Sequence, residues 1–210
     1  KQTAHHRPIF ISYGFDVCIL PYYAHNNTLI PPSLDYIERV CFVGSTSSLH
    51  HKRNKFLEYL ESKQVPLDIF SCPREQIFSF YNKYCISLNM PLNYDYNYRI
   101  NEVMSGSGCL LTAKVPVSTA SSLYAVDMFN ACFYESYEHA YRLICTLLEN
   151  TALRNYISHN AYTTFSKLLS SSFNFRLLEN FALQNLPPKF VESSNLDQSL
   201  LLFEDLQTNL

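Results

Sequence analysis

Two short segments carry residue types suited to phosphate and ribose chemistry. The first runs Gly44-Ser-Thr-Ser-Ser-Leu-His-His-Lys-Arg53, a glycine and small hydroxyl residues after an apolar stretch, closing on two cations. A strand that ends in glycine and feeds a small polar loop into a helix turns backbone N–H groups and the positive end of the helix dipole toward an anion. Lys52 or Arg53 then adds charge. The segment has neither P-loop spacing nor Gly-x-Gly-x-x-Gly. Taken alone, it reads more readily as an ordinary strand–helix connection with solvated basic residues.

The second segment is Arg99-Ile-Asn-Glu102-Val-Met-Ser-Gly-Ser-Gly108, followed by Cys109-Leu-Leu-Thr112. A carboxylate at Glu102 on a short helix can accept both hydroxyls of a ribose. Arg99 lies one turn earlier on the same face, and the small residues at the helix end let a ligand approach the backbone. Without its surroundings the pair reads as a surface Arg–Glu contact followed by a glycine helix stop. Tyr94, Tyr96 and Tyr98 alternate with Asn and Asp just ahead of this helix. Such rings stack on a base or sugar, or equally cap the edge of a core. His5-His6 and His50-His51 are adjacent pairs, which rarely ligate one metal, and no Cys-x-x-Cys occurs; the chemistry is expected to be metal-independent.

The elements that must position these residues alternate. Strands are expected at Phe15–Leu20, Arg39–Val43, Pro66–Phe70, Cys85–Met90, Cys109–Thr112 and Asn130–Tyr134. Helices are expected at Lys52–Lys63, Pro73–Tyr84, Tyr98–Ser105, Tyr137–Glu149, Ala152–Ser170 and Phe173–Leu183, with Leu196–Leu206 as a closing amphipathic segment. The alternation implies an α/β fold, a Rossmann-like parallel sheet flanked by helices, with a helical C-terminal region. Ligands of such sheets bind outside the carboxyl ends of the strands, which directs attention to the loops after Val43, Phe70, Met90 and Thr112. Residues 1–38 are expected to be a linker or the remnant of a preceding domain, 39–186 the domain itself, and 187–210 a C-terminal tail with helical character.

Composition narrows the class. The 210 residues are 47% hydrophobic, enough for one core of ordinary size. Sixteen Lys and Arg against eighteen Asp and Glu give a formal charge of −2, which argues against a nucleic-acid partner. No apolar run reaches the roughly 18–20 residues of a membrane span. Seven cysteines, an odd number with several inside apolar segments, point to a reducing compartment and hence the cytoplasm.

The ordered set resembles a family. A Phe-Val-Gly-Ser loop with a following Arg, a Ser-Leu-Asn strand, an Arg-x-x-Glu helix with a small-residue turn, and a Leu-Leu-Thr strand occur in sequence. Phe133-Tyr-Glu-Ser-Tyr-Glu138 and Leu153-Arg-Asn-Tyr-Ile-Ser-His-Asn-Ala-Tyr162 follow, before Arg176-Leu177. Over roughly Arg39–Phe181 this is similar to the carboxyl-terminal, nucleotide-sugar-binding half of GT-B glycosyltransferases, especially the CgeB-like spore-maturation branch. The resemblance implies transfer of a sugar from a nucleoside diphosphate sugar to a hydroxyl of a glycan, protein or small molecule, with a UDP-sugar as the default donor and no cofactor. It implies Arg53 and Glu102 as the catalytic residues. Arg53 would face the diphosphate and Glu102 the ribose, with Gly44, Ser45, Arg99, Ser107 and Gly108 completing the donor pocket. A preceding Rossmann-like domain or a partner subunit would supply the acceptor half. Tyr94 stands where the Glu-x7-Glu pair of retaining members would need an acid, and Ser107 where the family often has glycine. The alternative is a degenerate glycosyltransferase-like module that serves as a non-catalytic binding domain.

Overall fold

The computed structural model describes residues 30–33, 35–91, 97–115 and 125–168. Expected elements at Phe15–Leu20, Phe173–Leu183 and Leu196–Leu206 lie outside those residues, as do Tyr94 and Tyr96. Within them the chain alternates strand and helix: β1 (Ile37–Val43), α1 (His51–Ser62), β2 (Leu67–Phe70), α2 (Arg74–Lys83), β3 (Tyr84–Asn89), α3 (Tyr98–Ser105), β4 (Leu110–Ala113), β5 (Cys132–Tyr134), α4 (Tyr137–Glu149) and α5 (Thr151–Leu168). All strands pair in parallel, in the order β2-β1-β3-β4-β5.

Burial explains why the sequence chooses strands here. Val40 to Val43 and all six residues of β3 are buried, so these runs have no solvent-facing side and suit the middle of a doubly covered sheet. The short edge strand β2 is only partly covered. Successive side chains serve opposite layers: Cys41 and Val43 join one cluster, Val40 and Phe42 the other. One layer holds α1 and α4 through Phe56, Leu57, Leu60, Ala140, Ile144 and Leu147. The other holds α2 and α3 through Ile77, Tyr81, Ile100, Val103 and Met104.

Helix α5 joins the two layers, with Ile157 in the cluster of α1 and α4 and Ala161 and Phe165 in that of α2 and α3. Its start is fixed by Arg154, which is 1% exposed. That guanidinium donates to the last carbonyls of α4, Leu147 O at 2.6 Å and Leu148 O at 2.7 Å, and to both Glu38 oxygens at 2.7 Å. Carbonyls at a helix end need such partners when water is excluded.

The strand order fixes where a ligand can enter. From β1 the chain steps to β2, then returns past β1 to build β3, β4 and β5 on the other side. The loops leaving β1 and β3 therefore diverge, and a crevice opens between the carboxyl ends of those two strands. Each helix runs back from that edge, so the first turns of α1 and α3 face the crevice and their last turns lie at the opposite edge.

Candidate functional site

The crevice is built from the first turns of α1 and α3 and the ends of β1 and β3. Neither helix has a side-chain cap, and neither has an acidic residue in its first turn. Instead the first turn of α1 carries His51, Lys52 and Arg53, and that of α3 carries Arg99. Cations at helix N-termini oppose the macrodipole. Two such helix ends meeting at one crevice make a region of positive potential, which costs stability unless an anion relieves it.

Arg53 is 8% exposed and bridges the crevice. Its Nη1 donates to Ser45 O at 2.7 Å and its Nη2 to Met90 O at 3.3 Å, tying the β1–α1 loop to the end of β3. Its guanidinium lies 5.3 Å from the centre of the Phe42 ring. Nε is buried without a hydrogen-bond acceptor. Burial first, and the nearby Arg99 cation second, hold its pKa below the ordinary arginine value. The neighbouring Asn54 donates to the Thr46 and Ser47 carbonyls at 3.3 and 3.2 Å, so α1 itself shapes the loop ahead of it.

Arg99 reaches the same place from the other side and donates through Nη1 to the Val43 carbonyl. A Cβ on Gly44 would stand 2.8 Å from that Nη1, so glycine is what admits the guanidinium. Arg99 Nε has no hydrogen-bond acceptor and lies 3.9 Å from Glu102 Oε2, an ion pair rather than a hydrogen bond. The Glu102 side chain is 12% exposed, one turn into α3 on the Arg99 face. The structure thus brings Gly44, Ser45, Arg53, Arg99 and Glu102 together.

Ser107 and Gly108, expected from the resemblance to adjoin the phosphates, do not lie with them. They follow the last turn of α3, at the amino edge of the sheet, roughly 12 Å along the helix from its start. Gly108 N–H donates to Val103 O at 2.9 Å and Ser107 N–H to Met104 O at 3.1 Å, a Schellman stop with Ser107 in the left-handed position at φ 57°. This is the place that favours glycine. The buried Ser107 hydroxyl donates to the Ile30 carbonyl, and Gly108 is walled in by Val103, Ser87 and Tyr81. Their proximity to Glu102 in sequence is not proximity in space, because α3 lies between.

Sequence reasoning missed the polar floor of the crevice. Asn89, at the end of β3, bonds Thr112 on β4 and Asn97 at the start of α3, while Tyr134 on β5 donates to the Asn89 carbonyl. The available signal was an asparagine at the end of an otherwise apolar strand. Among the described residues no group of three His, Cys, Asp or Glu could hold a metal ion, and no helix is long and apolar enough to cross a membrane.

No protein-family model matches this chain, and no curated protein is similar to it in sequence. Its fold is similar to that of solved GT-B glycosyltransferases. A Staphylococcus aureus TarM mutant in complex with fondaparinux, alpha-GlcNAc-glycerol and UDP superposes with a TM-score of 0.59 at 8% identity, over 82% of this chain and 41% of that one. Sucrose-phosphate synthase from Thermosynechococcus elongatus gives 0.62 at 7% identity, over 85% of this chain and 55% of that one. Anabaena HepE in complex with UDP gives 0.52 at 10% identity, over 85% and 52%. The chain therefore spans about half of the structures it matches, and its five-stranded sheet with flanking helices corresponds to half of their fold.

Proposed function

We propose that this chain is the donor-binding half of a glycosyltransferase, taking the diphosphate of a nucleoside diphosphate sugar into the crevice between β1 and β3. The observation that carries it is the meeting of Arg53 and Arg99 in the first turns of two uncapped helices, with Glu102 one turn deeper on α3. In this reading the two guanidiniums hold the diphosphate and stabilise the negative charge that builds on it as the sugar leaves. Glu102 accepts the ribose hydroxyls. Gly44 and Ser45 form the wall that lets the ligand approach. The donor-binding domain spans 39–186, after a linker or domain remnant at 1–38 and before a C-terminal tail at 187–210. A preceding Rossmann-like domain or partner subunit brings the acceptor hydroxyl. Free thiols at all six described cysteines suit a cytoplasmic enzyme, and the ordered motifs favour the CgeB-like branch. Two of the similar structures are described with UDP, which makes uridine diphosphate the first nucleotide to try.

A second reading has its own support. Both terminal nitrogens of Arg53 and one of Arg99 are engaged by backbone carbonyls of this chain. A degenerate module that binds a partner and no longer handles donor would keep its arginines in this way. A thermal-shift panel of UDP, GDP, ADP and dTDP separates the two. Ligand at a hundred times its dissociation constant adds about 2.7 kcal/mol, a clear shift for a domain of this size. Stabilisation by one nucleotide, lost in Glu102→Ala, supports the donor reading. No stabilisation by any of them favours the degenerate module.

A further inference from the structure

Asn97 stands at the start of α3 with extended backbone, φ −101° and ψ 165°, where an asparagine side chain ordinarily accepts from first-turn N–H groups. It does not do so. It forms a reciprocal amide pair with Asn89: Asn97 Nδ2 donates to Asn89 Oδ1 at 3.1 Å, and Asn89 Nδ2 donates to Asn97 Oδ1 at 3.1 Å. Asn89 Nδ2 also donates to Thr112 Oγ1 at 3.0 Å, and the Tyr134 hydroxyl to Asn89 O at 3.1 Å. Asn89 and Thr112 are cross-strand neighbours, and both are buried. One asparagine thus ties the ends of β3, β4 and β5 to the first residue before α3.

Giving up a favourable cap breaks a local rule, and chains keep such departures where position matters. The helix is eight residues long and carries Arg99 and Glu102 near its start, so a shift at Asn97 displaces both. A buried network with its partners satisfied holds one geometry. We infer that the Asn89–Asn97 pair is a positioning element of the nucleotide site, setting α3 so that Arg99 and Glu102 face Arg53 across the crevice. This rests on the donor reading above. The pair acts through α3.

The test is a calorimetric titration of the full chain with UDP for wild type, Asn97→Leu, Glu102→Ala and the double variant. Leucine matches asparagine in size without polar atoms. Asn97→Leu should weaken binding about tenfold, the equivalent of one or two lost hydrogen bonds. The double variant should lose less than the sum of the two single losses, because the displacement of Glu102 no longer counts once its carboxylate is gone. Asn97→Asp gives a second readout, and decides the matter if the leucine variant does not fold. A protonated carboxyl offers one donor and one acceptor, as the amide does, whereas the carboxylate cannot donate. Its affinity relative to wild type at the same pH should therefore recover as pH falls toward about 4. Wild-type affinity in Asn97→Leu, losses that add in full, or a deficit of Asn97→Asp that ignores pH would each overturn the inference. If wild type itself binds no nucleoside diphosphate, the donor reading falls, and this inference with it.

Discussion

Adding one methyl group at Gly44 or at Gly108 should divide its cost differently between stability and binding. At Gly44 the new Cβ would lie 2.8 Å from Arg99 Nη1 and 3.1 Å from Phe42 Cζ. The first neighbour is the tip of a flexible side chain and can swing away, giving up its bond to the Val43 carbonyl. A hydrogen bond to a charged donor is worth about 1.5–3 kcal/mol, and hydration of the displaced guanidinium returns part of it. Gly44→Ala should therefore cost about 1–2 kcal/mol in urea unfolding. It should also weaken UDP binding about tenfold, because Arg99 leaves the crevice. At Gly108 the Cβ would meet Val103 Cγ1 at 2.8 Å, Ser87 Oγ at 3.0 Å and the Tyr81 backbone oxygen at 3.0 Å. Those atoms belong to α3, β3 and α2, and none can swing clear. Gly108→Ala should cost about 3 kcal/mol or more, as overpacking of a fixed site does. The protein that remains folded should bind UDP like wild type, since Gly108 is at the far edge of the sheet. Paired urea and calorimetric titrations read both quantities. A Gly108→Ala protein that is the more stable of the two, or the weaker binder once folded, refutes this placement of the site.

Three further outcomes follow from the packing. Arg154→Ala should cost about 3–5 kcal/mol, because it strands a buried and a part-buried helix-end carbonyl and opens a hole. Glu38→Ala should cost less, about 1–3 kcal/mol, since that carboxylate is 60% exposed while its loss leaves the buried Arg154 cation with its carbonyl partners alone; equal losses in denaturant melts would contradict the cap. Asp68 accepts from Arg39 Nε at 2.8 Å, Arg39 Nη2 at 2.6 Å and the Tyr84 hydroxyl at 3.0 Å, and the hydrogen bonds from Arg39 chiefly hold its pKa below the ordinary value. A depressed carboxylate pKa contributes stability that is full above about pH 4 and lost as pH falls through the folded value. Asp68→Asn should therefore be less stable than wild type at neutral pH, with the gap closing in acid; a gap constant with pH would speak against the bond. Burial pushes the Cys41 thiol up to about 12 and Cys85 to about 11. Timed alkylation read by mass spectrometry should modify the part-exposed Cys72 and Cys145 first, and Cys41, Cys85, Cys109 and Cys132 only on unfolding.

What could be read in the sequence was whatever repeats locally. Arg39–Val43 and Cys85–Met90 announce central strands because burial on both faces leaves no polar alternation. The first strand nevertheless begins earlier, at Ile37, because its exposed opening residues lack that signature. Arg53 could be singled out by type and position, but not its bond to Met90 O, since that acceptor is 37 residues away and depends on the strand order. Asn89 reads in sequence as the end of an apolar strand and Asn97 as a loop residue, and only the folded sheet makes them a pair. Ser107 and Gly108 follow Glu102 closely in sequence, yet a helix eight residues long carries the chain from one edge of the sheet to the other before they are reached.

The most direct test of the central claim is a map of backbone amide shifts in isotope-labelled protein as UDP is added. The changes should gather at Gly44, Ser45 and Arg53 and at Arg99 and Glu102, leaving Ser107 and Gly108 still. Shifts centred on Ser107 and Gly108, or none at millimolar UDP, GDP, ADP and dTDP, would contradict a nucleotide site in the crevice between β1 and β3.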